Sequence, residues 1–365
     1  MPTLESELIL TPAKTGIQVA IEPAVNALGS LFFLSRVDDY SGLDPWIVKK
    51  GESLDKALLQ ANQVVMQGLF YAWTPERSWP SFISYVDHLE AADPLALRDR
   101  ILETYLELPC RKEMEPEVDP PSRDELLSDF DTFIAYLRSK FGKDHVDEVV
   151  EKEAYHLLLK PEKMRAYIVS HFRTMWTEIL ETEWARVYPL IEESALAFQK
   201  VDISRMTELE AVRYITGQTD DKLGWLIEQN KRLIFIPTTH SGPYSLPFIS
   251  ADTVWILFSA RLPEGLPQSA SVLSRSELLV RLTALADETR LSILALTNER
   301  EQICSQELID ILQISQSSVS RHLRQLSASG FLRERRTEAG KCYTLNPERI
   351  KDTLNALEVL FNERS

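Results

Sequence analysis

Small hydroxyls and guanidiniums concentrate near the carboxyl end of this chain, where Ser315 to Ala328 read SQSSVSRHLRQLSA. At a helical step of about 100° per residue, Val319, Leu323 and Leu326 share one face. Ser317, Arg321 and Arg324 lie opposite, with Ser318 and Gln325 beside them. Hydroxyls, an amide and two guanidiniums on a free face can reach phosphate oxygens and base edges, and Arg is the commonest bidentate partner of guanine. His322 sits on the flank of the apolar face, a position for packing or hydrogen bonding ahead of base reading. Arg333, Arg335, Arg336 and Lys341 then crowd onto two alternating runs, FLRERR and KCYTL, joined by a turn containing Gly340. That pattern is a β-hairpin placed to touch a phosphate backbone or minor groove, with Glu334 and Glu338 weakening its positive field.

Such a ridge needs a scaffold, and the preceding residues supply one. Leu278, Leu279, Leu282 and Leu285 give a first helix, and Asp287 is placed to cap a second through Arg290, Ile293 and Leu296. Ser305 is the expected cap of a third, whose buried side is Leu308, Ile311 and Leu312. Only the turn QIS separates it from the serine-rich helix. Two short helices joined so tightly form a helix-turn-helix, whose second helix fits the major groove, and the basic hairpin beside it is a wing.

The charge balance points the same way. The chain carries 40 basic and 55 acidic residues, yet the segment from Arg275 to Leu345 has 10 against 9. The entire deficit of 15 charges falls on the stretch from Met1 to Ser274. A surface of that sign repels phosphate, so nucleic-acid contact belongs to the stretch from Arg275 onward. Hydrophobic residues at 44% and charged residues at 26% suit a globular chain of two or three domains. The longest apolar runs fall short of the roughly 20 residues that span a bilayer. The N-terminus, with Glu5 and Glu7, lacks the basic start and apolar core of a secretory signal. Three widely spaced cysteines, Cys110, Cys304 and Cys342, do not form a disulfide framework, which makes a reducing cytoplasm the simplest compartment.

Upstream, helical periodicity dominates from Ser53 to about Lys231, broken by the proline-rich acidic stretch at 109–121. Residues 1–40 read as a small strand pair leading into a helix. In HFRTMWTEILETEW, the residues Phe172, Met175, Trp176, Ile179, Leu180 and Trp184 form one apolar stripe, a core or subunit contact before a cofactor box. The period shifts between Arg232 and Arg261, where RLIFIPTTHSGPYSLPF and VWILFSARL read as two or three strands. LPEGLPQSAS at 262–271 is a linker. Zinc-protease helix, phosphate-cradling and nucleophile-elbow motifs are absent. His145 and His156 lie among carboxylates on what reads as a solvated helix face, and His240 with Ser241 and Gly242 reads as a turn between strands.

Residues 276–345 resemble the winged helix-turn-helix of the ArsR family of bacterial transcriptional regulators, through LADETRLSIL, QELIDILQISQSSVSRHLRQLSASGFLRERR and GKCYTL. The resemblance implies that Gln316, Ser317, Ser318, Ser320 and Arg321 contact bases and phosphates. It also implies a homodimer, with the helix from Pro347 to Phe361 (Ile350, Leu354, Leu357, Leu360) packing with Leu278 to Leu285 at the interface, and repression as the activity. Many relatives bind soft metals through two thiolates one residue apart; QICSQEL offers Cys304 but Gln306, so no metal site is expected and Cys304 reads as a small apolar residue. The layout upstream of the linker resembles the N-terminal region of enlarged ArsR-like regulators.

The expectation is therefore a mainly α fold with small β elements. Its parts are an N-terminal effector or dimerisation region (1–261), a linker (262–274) and a winged helix-turn-helix (275–365). The partner is an operator in double-stranded DNA; no cofactor or membrane is expected, and a small-molecule effector is allowed for. The candidate DNA contacts are Ser315, Gln316, Ser317, Ser318, Ser320, Arg321, His322, Arg324, Arg335, Arg336 and Lys341. The rival expectation is an enzyme carrying a DNA-binding tail. A Trp-lined pocket (Trp73, Trp176, Trp184 or Trp225) without ionisable groups would favour the regulator, and one converging on His240 or His171 with perturbed carboxylates the enzyme.

Overall fold

A computed structural model of the chain describes residues 16–107, 121–143, 146–218, 232–250, 252–263, 275–337 and 340–362. The fold is mainly helical with two small sheets. His145, Trp225, Cys110, Glu338 and most of the 262–274 linker lie outside the described residues, as does the side chain of Arg336.

The N-terminal region opens on β1 (Ile17–Val19) and α1 (Pro23–Leu34). Helices α2 (Pro45–Ser53), α3 (Lys56–Gln63), α4 (Phe70–Trp73), α5 (Phe82–Ala91), α6 (Pro94–Glu107), α7 (Arg123–Leu126), α8 (Phe130–Phe141) and α9 (Glu148–Leu158) follow. The apolar stripe then runs through α10 (Pro161–Met175), a π-helical turn at Trp176–Leu180 and α11 (Glu181–Gln199). After α12 (Glu208–Thr216) come β2 (Arg232–Thr238), β3 (Leu246–Ile249) and β4 (Thr253–Ser259). The sheet order is β1-β2-β4-β3, with β1 and β4 parallel to β2 and β3 antiparallel to β4.

A strand pair is expected between Met1 and Tyr40; the described residues hold one strand there, and its partner is β2, more than 200 positions downstream. The reason is burial on both faces. Side chains alternate across a strand, so Ile234, Ile236, Trp255 and Leu257 enter the helical core built around α1, α5 and α10. Leu233, Phe235, Val254, Ile256 and Phe258 pack on Ala195, Phe198, Ala211, Val212 and Ile215 of α11 and α12. Near-continuous apolar runs, not alternating ones, mark strands covered on both sides.

The C-terminal part comprises α13 (Arg275–Leu285), α14 (Glu288–Arg300), β5 (Gln302–Cys304), α15 (Ser305–Leu312), α16 (Gln316–Ala328), β6 (Leu332–Thr337), β7 (Gly340–Leu345) and α17 (Pro347–Asn362). Its sheet has the order β5-β7-β6 and its own core of Ala284, Ile293, Ile303, Leu308, Val319, Leu323, Leu326 and Phe331. Among the described residues no helix is long and apolar enough to cross a membrane.

Candidate nucleic-acid interface

The start of α14 explains the motif LADETR. Asp287 accepts from the backbone N–H of Arg290 at 2.9 Å and caps the helix. Arg290, buried, folds back and donates from Nε to the Ala284 carbonyl (2.7 Å) and from Nη2 to that of Thr283 (2.8 Å). One side chain thus satisfies the orphan carbonyls ending α13 and fixes the angle between the two helices. The next helix is capped one residue earlier than its sequence suggests: Cys304 stands at the N-cap in place of Ser305, and its N–H donates to Glu307 at 2.8 Å. Gln313, in the left-handed region at φ 54°, ends α15 and turns the chain toward α16.

At the start of α16 the Ser318 N–H donates to Ser315 Oγ at 3.2 Å. Ser315 Oγ also lies 3.0 Å from Ser317 Oγ and donates to Ser318 Oγ at 2.9 Å, so the hydroxyls form one connected patch at a helix N-terminus. A helix N-terminus favours negative charge, such as a phosphate. Val319, Leu323 and Leu326 are buried in the local core, while Ser315, Gln316, Ser317, Ser320, Arg321 and Arg324 are exposed and Ser318 is half-buried. His322 is buried, with Nδ1 3.8 Å from Asp287; burial pushes its pKa down against the pull of that carboxylate. It faces the core side of the helix, not the groove side.

On the wing, Arg335 is exposed, whereas Lys341 Nζ lies 3.3 Å from Glu334 and Arg333 donates to Asn346 Oδ1 at 3.1 Å. The cysteines correct the sequence-based expectation that none would pair: Cys304 and Cys342 form a disulfide, so the cysteines no longer argue for a reducing compartment. The register makes them neighbours, because antiparallel β5 and β7 place Cys304 directly opposite Cys342 although they are 38 residues apart. Cys304 is therefore a crosslink between the third helix and the wing, not an inert apolar residue.

The second half of α16 faces the N-terminal region, a contact with no signal in the sequence pattern. The Arg324 guanidinium lies 5.0 Å from the centre of the Tyr40 ring and donates from Nη1 to the Asp39 carbonyl. Gln325, expected beside the outer face, is fully buried, and Ala328 packs on the N-terminal core. Gly42 has φ +82°, and a Cβ there would collide with Gln325 Nε2, so only glycine permits this approach. Tyr40 is fixed in turn by Tyr244, their ring centres 4.8 Å apart. Asp38 and Asp39 remain exposed beside the helix.

Within the N-terminal region, Asn26, Ser30, Trp176, Leu180, Glu183, Trp184 and His240 line a narrow cavity. His240 lies in the turn between β2 and β3, as its sequence suggests, and from there its ring bridges Ser30 Oγ (Nδ1, 2.8 Å) and Glu183 Oε1 (Nε2, 3.0 Å) under the stacked ring of Trp46. All three groups are buried, and Ser30 also donates to the Asn26 carbonyl at 2.9 Å. Burial raises the pKa of Glu183, but hydrogen bonds from His240 and Arg186 more than offset this and hold it below the usual range. His171, also buried, lies 3.0 Å from Asn62 Oδ1 through Nε2, and burial pushes its pKa down to about 4. The cavity thus combines two expected tryptophans with ionisable groups.

Comparison with known proteins converges on the C-terminal part. The family described as "Helix-turn-helix domain" matches residues 285–335. The arsenic resistance transcriptional regulator ArsR1 of Pseudomonas putida is 41% identical over 64 residues, 18% of this chain and 50% of that protein. The arsenical resistance operon repressor of Escherichia coli is 43% identical over 63 residues, 17% of this chain and 54% of its own length. The transcriptional activator HlyU of Vibrio cholerae is 30% identical over 100 residues, 27% of this chain and 92% of that protein. The chain belongs to the ArsR family of helix-turn-helix regulators. It spans about half the length of the first two relatives. No solved structure matches it. In this ArsR-family chain, Cys304 is bonded to the wing through Cys342.

Proposed function

We propose that this ArsR-family protein is a cytoplasmic, homodimeric regulator that reads an operator in double-stranded DNA through the first half of α16 and represses transcription. The observation that carries this is the exposed patch of Ser315, Gln316, Ser317, Ser320 and Arg321 at the start of a helix-turn-helix second helix. Helices of this kind enter the major groove with their N-terminal residues on base edges. Ser318 belongs to the same patch, and Arg335, Arg336 and Lys341 on the wing contact the backbone. Arg324 joins them only after leaving Tyr40, and His322 acts by positioning the helix.

Dimerisation is supported by Leu279, Leu354, Leu360 and Phe361, large apolar groups exposed on the α13 and α17 pair. Repression is the direction named for the Escherichia coli relative, whereas HlyU is named an activator. The N-terminal region, 1–261, is an effector module without catalysis of its own. One observation favours the enzyme alternative, the Ser30–His240–Glu183 chain. Its serine is buried in mid-helix with its own proton committed to Asn26, which suits a structural network better than a nucleophile.

Selection from a random duplex pool with the purified full-length chain tests the proposal. Enrichment of one palindromic motif, bound by a dimer and lost at raised salt, is the expected result. Failure to enrich any sequence refutes it.

A further inference from the structure

A second cavity lies at the joint between the N-terminal region and the winged helix. It is lined by Gly217, Gly242–Ser245, Ser259 and Arg261 on one side and by Glu277, Arg281, Ser329 and Arg349 on the other. Three guanidiniums meet there around one carboxylate: Arg261 Nε is 3.3 Å, Arg281 Nη2 2.5 Å and Arg349 Nη2 3.6 Å from Glu277. Burial alone would raise the Glu277 pKa, yet these cations hold it below the usual carboxylate range.

Arg281 is the decisive group. It is 2% exposed, and its Nε and Nη1 have no hydrogen-bond partner among the described residues. Ser329 Oγ, on the same wall and equally buried, has none either. Buried donors, charged ones above all, are costly to leave unmatched. A fixed guanidinium fork and a hydroxyl lining one cavity are complementary to an oxyanion.

We propose that this joint is a binding site for a small anion carrying a carboxylate or phosphate group, held by Arg281 and Ser329 with Arg261 and Arg349 around it. It deepens the effector role given above by naming site and ligand class. Arg261 belongs to the N-terminal region and the other two arginines to the winged helix, so a bound anion draws the two together. Arg349 also donates to the Ser329 carbonyl (3.0 Å) and to that of Gly217 (3.1 Å), tying the end of α16 to the same joint. The anion therefore favours the closed arrangement with Arg324 held by Tyr40 and lowers DNA affinity.

The test titrates inorganic phosphate and, separately, succinate into the full-length chain by calorimetry in a chloride buffer. Saturable binding of at least one probe is expected. Arg281→Met should weaken it about tenfold or more, Arg281→Lys less, with unchanged circular dichroism. Should Arg281→Met melt early, Ser329→Ala must still weaken binding. Which probe binds separates the phosphate and carboxylate classes. No saturable heat with either, or equal binding by wild type and both variants, overturns the site. DNA anisotropy on the same samples at matched ionic strength tests the coupling: an anion-dependent loss of affinity absent from Arg281→Met supports it, and an anion-independent isotherm overturns the coupling alone. A chain that binds anion but no duplex refutes the DNA-binding proposal and leaves the site standing.

Discussion

Tyr40→Leu should tighten DNA binding, although residue 40 is more than 270 positions from the recognition helix. In the folded chain the Arg324 guanidinium sits 5.0 Å from the Tyr40 ring centre and bonds the Asp39 carbonyl. To reach a phosphate or base, Arg324 must give up both contacts. An exposed cation–π pair contributes about 0.5–1 kcal/mol, and leucine removes the ring face while keeping an apolar side chain against Phe33 and Tyr244. The Asp39 carbonyl stays, so only the ring contribution is lost. Removing it from the closed state alone should lower Kd for a selected duplex by about twofold to fivefold. Asp38→Asn with Asp39→Asn should add to the gain at low salt, since both carboxylates are exposed next to the helix. Fluorescence anisotropy at fixed ionic strength reads the effect, with thermal melts confirming an intact fold. An unchanged or weaker Kd would mean that α16 enters DNA without releasing the Arg324–Tyr40 contact.

Arg321→Ala should weaken binding to the selected operator by about 1–3 kcal/mol if Arg321 reads a base; equal weakening on scrambled duplexes would assign it to phosphate. Cleavage of the Cys304–Cys342 bond by a reductant should lower unfolding stability by about 4 kcal/mol on chain-entropy grounds for a loop of 38 residues. Cys342→Ser should abolish that sensitivity, and a reductant effect persisting in the variant would rule out this origin. The third concerns pH. His171 has a folded pKa of about 4 and an ordinary unfolded one near 6.5. The unfolded chain binds the proton first, so the stability of the neutral form is complete above about pH 6.5 and is lost as pH falls toward 4. The loss is about 2 kcal/mol at pH 5. His171→Gln should flatten that part of the stability profile, and an unaltered acid limb would contradict the assignment.

Much of the C-terminal part was legible because its periods are local. Val319, Leu323 and Leu326 mark the inner face of α16 from sequence alone, and Asp287 announces its helix one residue ahead. The disulfide was not legible, since Cys304 and Cys342 become neighbours only through the β5–β7 register. Gln325 shows the same limit: helical phase puts it near the polar side, but its burial comes from a turn at Gly42. Arg281 carries no local signal of its setting, since Arg261 and Arg349 reach its partner Glu277 from elements distant in the chain. His240 sits in the turn its sequence suggests, but its bridging role was hidden because Ser30 and Glu183 are 210 and 57 positions away.

Site-directed photocrosslinking tests the central claim most directly. A crosslinker placed at Ser317 or Arg321 of the full-length protein should capture a selected duplex, and one placed at the exposed Leu95 of the N-terminal region should not. Capture from position 95 with none from 317 or 321 would contradict the account.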